Sequence, residues 1–198
     1  MVRTIILLCL TTAFFLSPGC DPKKDAMPPQ DQDFSCIKIF DSNGLGLGLH
    51  GGCTTSNDWG KITLSASEQE FLNFTDTVSL AGTTASNIDY FYVYPCPVTI
   101  GHPISFVMDG ELDHKYKLKF AIVDESLNVV KQLAIKVPHG NSLQLLIDPA
   151  QFETGKYYRM YYRISADGAP SLFEGYGNFL VCKTHINGVT TTIESDCM

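Results

Sequence analysis

From residue 115 to 122 the chain reads Lys-Tyr-Lys-Leu-Lys-Phe-Ala-Ile. Side chains two apart on an extended backbone share a face. Tyr116, Leu118, Phe120 and Ile122 therefore turn one way and three lysines the other, as in a half-buried strand. The same period predicts further strands at residues 129–137, after a Ser126-Leu127-Asn128 turn, and at 143–147 and 155–165. In the last of these Tyr158, Met160, Tyr162 and Ile164 alternate with Tyr157, Arg159, Tyr161 and Arg163. Asp167-Gly168 is a turn signal leading into a strand at 171–182, and residues 34–40 and 88–94 are strand candidates upstream. Only residues 65–74, through Ser67-Glu68-Gln69-Glu70, suit a short helix.

Seven or more short strands separated by Gly, Pro, Asn and Asp turns predict an all-β, antiparallel sandwich. With 198 residues, 44% of them hydrophobic, the chain can bury a sizeable core, and residues 34–198 are expected to form one domain. No βα alternation points to a parallel nucleotide-binding sheet, and no internal repeat is present. The formal charge of −7 argues against a nucleic-acid partner.

The first nineteen residues read as an address. Arg3 precedes a twelve-residue apolar run, residues 5–16, too short for the roughly 20 residues a spanning helix needs and right for a secretory signal. The run ends in Leu16-Ser17-Pro18-Gly19-Cys20. A small residue directly before a cysteine resembles the lipobox of bacterial lipoproteins, although Leu16 stands four residues before Cys20 where the family prefers three. The resemblance implies cleavage before Cys20, its acylation, and a lipid bilayer as partner. Residues 21–33, Asp-Pro-Lys-Lys-Asp-Ala-Met-Pro-Pro-Gln-Asp-Gln-Asp, hold no aromatic and cannot form a core, so residues 20–33 read as an acylated cysteine and flexible tether. Asp21-Pro22-Lys23-Lys24-Asp25 is loosely similar to the charged patch of surface-exported Bacteroidetes lipoproteins.

A second resemblance concerns the body. Tyr94-Pro95-Cys96-Pro97-Val98, the strand pair around Asp124 and Val129, and Gly155-Lys156-Tyr157-Tyr158 are similar in layout to C-terminal sorting domains of Bacteroidetes secretion substrates. Cys96 stands where those have Asn, and more than thirty residues follow the strand ending at Ser165. The resemblance implies an Ig-like sandwich, not a sorting role.

Seven cysteines suggest an oxidising compartment. Cys9 lies in the signal and Cys20 in the anchor, which leaves Cys36, Cys53, Cys96, Cys182 and Cys197. Cys36 and Cys53 flank a glycine-rich loop, and a bridge there would close it. Cys96 and Cys182, at strand ends, are the second expected pair, with Cys197 free or bridging two chains. The alternatives are reduced buried thiols or a metal site, but no C-x-x-C occurs and only Cys182 with His185 brings a cysteine within four residues of a histidine. No metal and no cofactor are expected.

Gly46-Leu47-Gly48-Leu49-His50-Gly51 fits G-x-G-x-x-G, yet no helix pattern follows to face a pyrophosphate, so it reads as a turned loop. Asp41-Ser42-Asn43-Gly44 fails the calcium-loop order at Leu45 and reads as an Asx turn. G-x-S-x-G, H-E-x-x-H and S-x-x-K are absent, the five histidines are scattered, and Glu111/Asp113 and Asp124/Glu125 suit solvated strand ends. Ligand-binding candidates are therefore aromatic and basic: Tyr157, Arg159, Tyr161 and Arg163 on one strand face, with Tyr90, Tyr92 and Tyr94 a similar stripe. Exposed tyrosines beside arginines suit sugar stacking or a protein interface, unless a stripe merely covers the sandwich edge. Asp76-Thr77-Val78 also resembles the acceptor triplet of Bacteroidetes O-glycosylation.

These features together indicate a tethered extracytoplasmic binding or structural module of a bacterial envelope, in the outer membrane, with envelope proteins or glycans as partners. The alternatives are a small glycan hydrolase, whose two carboxylates could come from distant strands, and an assembly subunit bridged through Cys197.

Overall fold

A computed structural model describes residues 33–53, 58–83, 87–109, 114–138, 143–183 and 197. The expected signal, Cys20 and nearly all of the tether lie outside the described residues, as do Glu111 and Asp113. Strands dominate: β1 Ile37–Phe40, β2 Gly46–His50, β3 Phe91–Tyr94, β4 Val98–Thr99, β5 Pro103–Met108, β6 Lys115–Asp124, β7 Val129–Pro138, β8 Leu143–Leu146, β9 Tyr157–Ala166 and β10 Ala169–Cys182. A short helix, α1, covers Ala66–Glu70. Among the described residues no helix is long and apolar enough to cross a membrane.

The fold is all-β. A five-stranded sheet runs β4-β10-β9-β6-β7, a three-stranded sheet β3-β5-β8, and β1 and β2 form a separate ribbon. Pairing is antiparallel except where β10 meets β4. The strands expected from alternation are present. β2, β4 and β5 are additional, and β5 shows its own alternation in Ile104, Phe106 and Met108.

The two sheets face each other through aromatic side chains. Phe91 of β3 lies 4.4 Å from Tyr162 of β9, and Phe106 of β5 lies 5.5 Å from Phe120 of β6, measured between ring centroids. Tyr116, Leu118, Phe120 and Ile122 are all buried there, so the period-two face is the core face. Each such side chain contributes roughly 1.5–3 kcal/mol of transfer free energy.

The five-stranded sheet is covered on its other face too. Residues 58–80 leave the ribbon, pair along β10 through Trp59 N–H to the Tyr176 carbonyl (2.8 Å) and Ile62 N–H to the Glu174 carbonyl (2.8 Å), then cross the sheet. Phe34, Leu64, Leu72, Ala121, Val123 and Tyr161 form a second buried cluster beneath them. Gly177 makes this crossing possible, since a Cβ there would fall inside the Trp59 ring. α1 starts with a capping box, in which the Ser65 hydroxyl accepts from Glu68 N–H and the Glu68 carboxylate accepts from Ser65 N–H.

Candidate functional site

On β9 the alternation is as expected, but its consequence for exposure is not. Tyr158, Met160, Tyr162 and Ile164 pack into the inter-sheet core. The middle of the opposite set does not reach solvent: Arg159 is 1% exposed and Tyr161 is fully buried, while Tyr157 and Arg163 at its two ends are partly exposed. The expectation of an open Tyr157-Arg159-Tyr161-Arg163 binding face is corrected because residues 58–80 and Phe34 lie over it. Phe71 stacks on Tyr161 at 5.0 Å and Tyr176 meets it edge-on at 6.2 Å. The half-buried Tyr157 hydroxyl lies 3.4 Å from His50 Nε2. A signal was present in the sequence. The apolar run Phe120-Ala121-Ile122-Val123 abandons alternation halfway along β6, which marks a strand buried on both faces.

Arg159 is instead a fastening. Its guanidinium lies between the rings of Phe34 (4.5 Å) and Tyr176 (4.2 Å). Its Nε donates to Asn178 Oδ1 (2.7 Å) and its Nη2 to the Asp33 carbonyl (3.3 Å). The Asn178 amide in turn donates to the Cys36 carbonyl (3.2 Å). The first described residues are thereby locked onto β9 and β10. Asp58 lies in the same buried region. Burial pushes its carboxyl up to about 7, against the pull of Arg159, the backbone N–H groups of Asn178 and Lys38, and the Lys38 ammonium. A node so enclosed holds the fold together and offers no surface to a ligand.

The cysteines sort differently from expectation. Cys36 and Cys53 are bridged as predicted, with Cα atoms 5.8 Å apart, and pin the β1–β2 ribbon. The second bridge joins Cys182 to Cys197, not to Cys96. Cys96 does approach β10, with its thiol 3.7 Å from the Asn178 carbonyl oxygen, but it is a buried free thiol whose pKa is pushed up by burial. The chain end thus reaches Cys182, and Cys197 is spent within the chain rather than bridging two copies. No group of three or more metal-ligating side chains occurs among the described residues.

Of the loop motifs, the glycine-rich stretch is a strand rather than the expected turned loop, and the Asp41 segment is a turn. The G-x-G-x-x-G stretch forms β2, and a Cβ on Gly51 would collide with the Ser35 carbonyl. Asp41 Oδ1 accepts from Asn43 N–H and Leu45 N–H (both 2.8 Å), an Asx turn. Asp124 is committed similarly, accepting from Ser126 N–H, Asn128 N–H and the Asn128 amide.

Among the described residues two open features stand out. The first is the tyrosine stripe on β3, an edge strand of the three-stranded sheet. Phe91 and Val93 enter the core, so Tyr92 and Tyr94 turn outward, with Tyr90, 46% exposed, just before the strand. Tyr90 and Tyr92 are 5.7 Å apart and Tyr92 and Tyr94 6.3 Å, centroid to centroid, and Phe40 of the ribbon stacks on Tyr92 at 4.8 Å. The turn at Gly44 abuts the Tyr92 hydroxyl and the Tyr94 ring, and next to it Leu45 is exposed. Partial burial and the two neighbouring tyrosines raise the Tyr92 pKa, so its hydroxyl stays protonated and able to donate. The second feature is a polar cleft of about 470 Å³ between α1 and the outer face of β6 and β9, floored by Lys117, Lys119 and Arg163.

No protein-family model matches the chain. No curated protein sequence matches it either. Among solved structures it is similar to a β-glucuronidase from glycoside hydrolase family 2, at 13% identity over 47% of this chain and a TM-score of 0.27. The match spans 11% of that enzyme's chain, and at this score it carries no argument about fold or activity.

Proposed function

We propose that this chain is a membrane-tethered, extracytoplasmic binding module of a bacterial outer membrane, and that the tyrosine stripe on β3 is its glycan-binding platform. The observation that carries the reading is the in-line row Tyr90, Tyr92 and Tyr94, braced from behind by the core and from the side by Phe40. Tyrosine combines a flat apolar ring, which stacks on the C–H face of a sugar, with a hydroxyl that bonds its rim. A paired strand holds the Tyr92 and Tyr94 rings in place, with Tyr90 at its start, so little order has to be imposed on binding. Two disulfides fit an oxidising compartment outside the cytoplasm, and the lipobox-like segment ending in Cys20 supplies the tether.

Two measurements test the two halves of this reading. Screening the purified chain against immobilised neutral glycans should give hits that Tyr92→Ala and Tyr94→Ala abolish while the melting temperature moves only slightly. Hits indifferent to both substitutions would remove the platform, and capture of an envelope protein through the same residues would replace glycan by protein. Cells fed a tagged fatty acid should label wild type and not Cys20→Ala. Equal labelling of the two would remove the lipid tether.

A further inference from the structure

The cleft on the opposite face of the sandwich carries a second, chemically different site. In a chain with fourteen Lys and Arg against twenty-one Asp and Glu, four cations occupy neighbouring positions on one face. Lys117 on β6 is directly paired across the ladder with Lys136 on β7, and Lys119 on β6 with Arg163 on β9. Like charges directly opposite each other destabilise a sheet, so stability alone does not account for two such pairs side by side. The described carboxylates compensate them only in part. Asp76 bridges Lys117 (2.6 Å) and Lys119 (3.1 Å), Glu174 pairs with Arg163 Nε (2.9 Å), and Glu70 lines the cleft, three carboxylates against four cations; Lys119 also donates to the Phe74 carbonyl and lies 4.2 Å from the centre of its ring. Lys136 donates to the Ala81 carbonyl (2.8 Å).

These cations do not sit on a flat surface. Lys117, Lys119 and Arg163 form the floor of the 470 Å³ cleft, whose wall holds the donors and acceptors Gln69, Asn73 and Ser165 and one carboxylate, Glu70, on α1. Leu72 and Leu80 supply apolar surface beside them. Its size lies within the roughly 300–1,000 Å³ usual for small-ligand pockets. The floor is rigid because it rests on two central strands, while Asp76 arrives from an irregular loop and is held there by its two lysines and by Val78 N–H (3.0 Å). The Asp76 carboxylate shows what the floor receives: an oxyanion shared between two ammonium groups.

We propose that this cleft binds an anionic sugar of one or two units. Its acid group lies over Lys117, Lys119 and Arg163, and its hydroxyls meet Gln69, Asn73 and Ser165. A charged group beside several amides and a hydroxyl is the complement of an acid that also carries ring hydroxyls, rather than of a bare inorganic anion. The site is separate from the tyrosine row, which lies on the outer side of the other sheet, and does not depend on it.

Isothermal titration of the purified full-length chain tests this, with galacturonate, digalacturonate and N-acetylneuraminate as probes and galactose and inorganic sulfate as controls. At least one acidic sugar should bind, with an affinity that falls as salt is raised, and both controls should bind at least about tenfold more weakly. Lys117→Gln should weaken binding about tenfold. Asp76→Asn, by removing the competing carboxylate, should strengthen it. Opposite effects of two substitutions 2.6 Å apart are not what general destabilisation produces, and melting curves of both variants confirm that they fold. Absence of binding by all three acids would overturn the proposal. Binding of sulfate or galactose as tightly as the acids would do the same, as would affinities unchanged in both variants.

Discussion

On β9, Tyr157 and Tyr161 lie beside or beneath a crossing segment, whereas on β3 the row Tyr90, Tyr92 and Tyr94 keeps solvent on its outer side. Both rows follow the same rule of alternate residues, and both back onto the same aromatic core. The difference comes from elsewhere in the chain. Residues 58–80 cross the five-stranded sheet and bring Leu64, Phe71 and Leu72 onto it, while among the described residues the outer side of β3 meets the ribbon at Phe40 and at the turn around Gly44. An alternating tyrosine row is therefore a strand signal first. Whether it is also a site depends on what the remaining chain lays over it.

Several substitutions would break that contrast or sharpen it. The largest effect is expected at the covered face. Arg159→Ala removes a buried guanidinium from between two rings and leaves the buried Asp58 with the Lys38 ammonium alone, which should cost about 3–5 kcal/mol in denaturant unfolding. A loss below about 1 kcal/mol would mean that this face opens in solution. Next is the ribbon bridge. Cys36→Ser with Cys53→Ser frees a loop with a sequence separation of 17 and should lower stability by about 3 kcal/mol. Because the ribbon braces the tyrosine row, the double variant should also lose glycan binding, and retention of both properties would show that the ribbon stays docked unaided.

A smaller, pH-dependent effect should follow from Asp58. Its folded-state pKa, raised to about 7 from 3.8, means that protonation favours the folded form. This contribution is complete below pH 3.8 and is lost as pH rises through 7, so the chain should melt higher at pH 5 than at pH 8. Asp33 is held low by hydrogen bonds from the Ser35 side chain and backbone. Asp76 is held low by Lys117 and Lys119, which outweigh its desolvation. Both act in the opposite sense, losing stability only in more acid solution. Asp58→Asn should flatten the slope between pH 5 and 8, and an unchanged slope would assign it to another group. The smallest effect belongs to the open face. Tyr92→Ala should cost only about 1 kcal/mol, since its ring is partly exposed, while removing glycan binding.

Local chemistry was enough to read several parts of this structure. The charged-and-apolar alternation at 115–122 placed the core face of β6 correctly, because pleat geometry needs no distant partner to put residues two apart on one side. The Asx turn at Asp41, a short helix within residues 65–74 and the Cys36–Cys53 bridge were legible for the same reason, since each closes over a short stretch of chain. Long-range choices were not legible. Cys96 was the expected partner of Cys182, and only the tertiary structure joins Cys197 to it instead, leaving Cys96 beside the Asn178 carbonyl. Arg159 looked like an exposed binding residue because its sequence neighbours alternate. Its burial depends on Phe34, more than a hundred residues earlier, and on a crossing segment admitted by Gly177. The cationic cleft likewise exists only because β6, β7 and β9 lie in register, setting Lys117 against Lys136 and Lys119 against Arg163. Sequence period fixes which way a side chain points relative to its own strand. What stands in front of it is set by strand order, register and the packing of remote segments, and those belong to the tertiary structure.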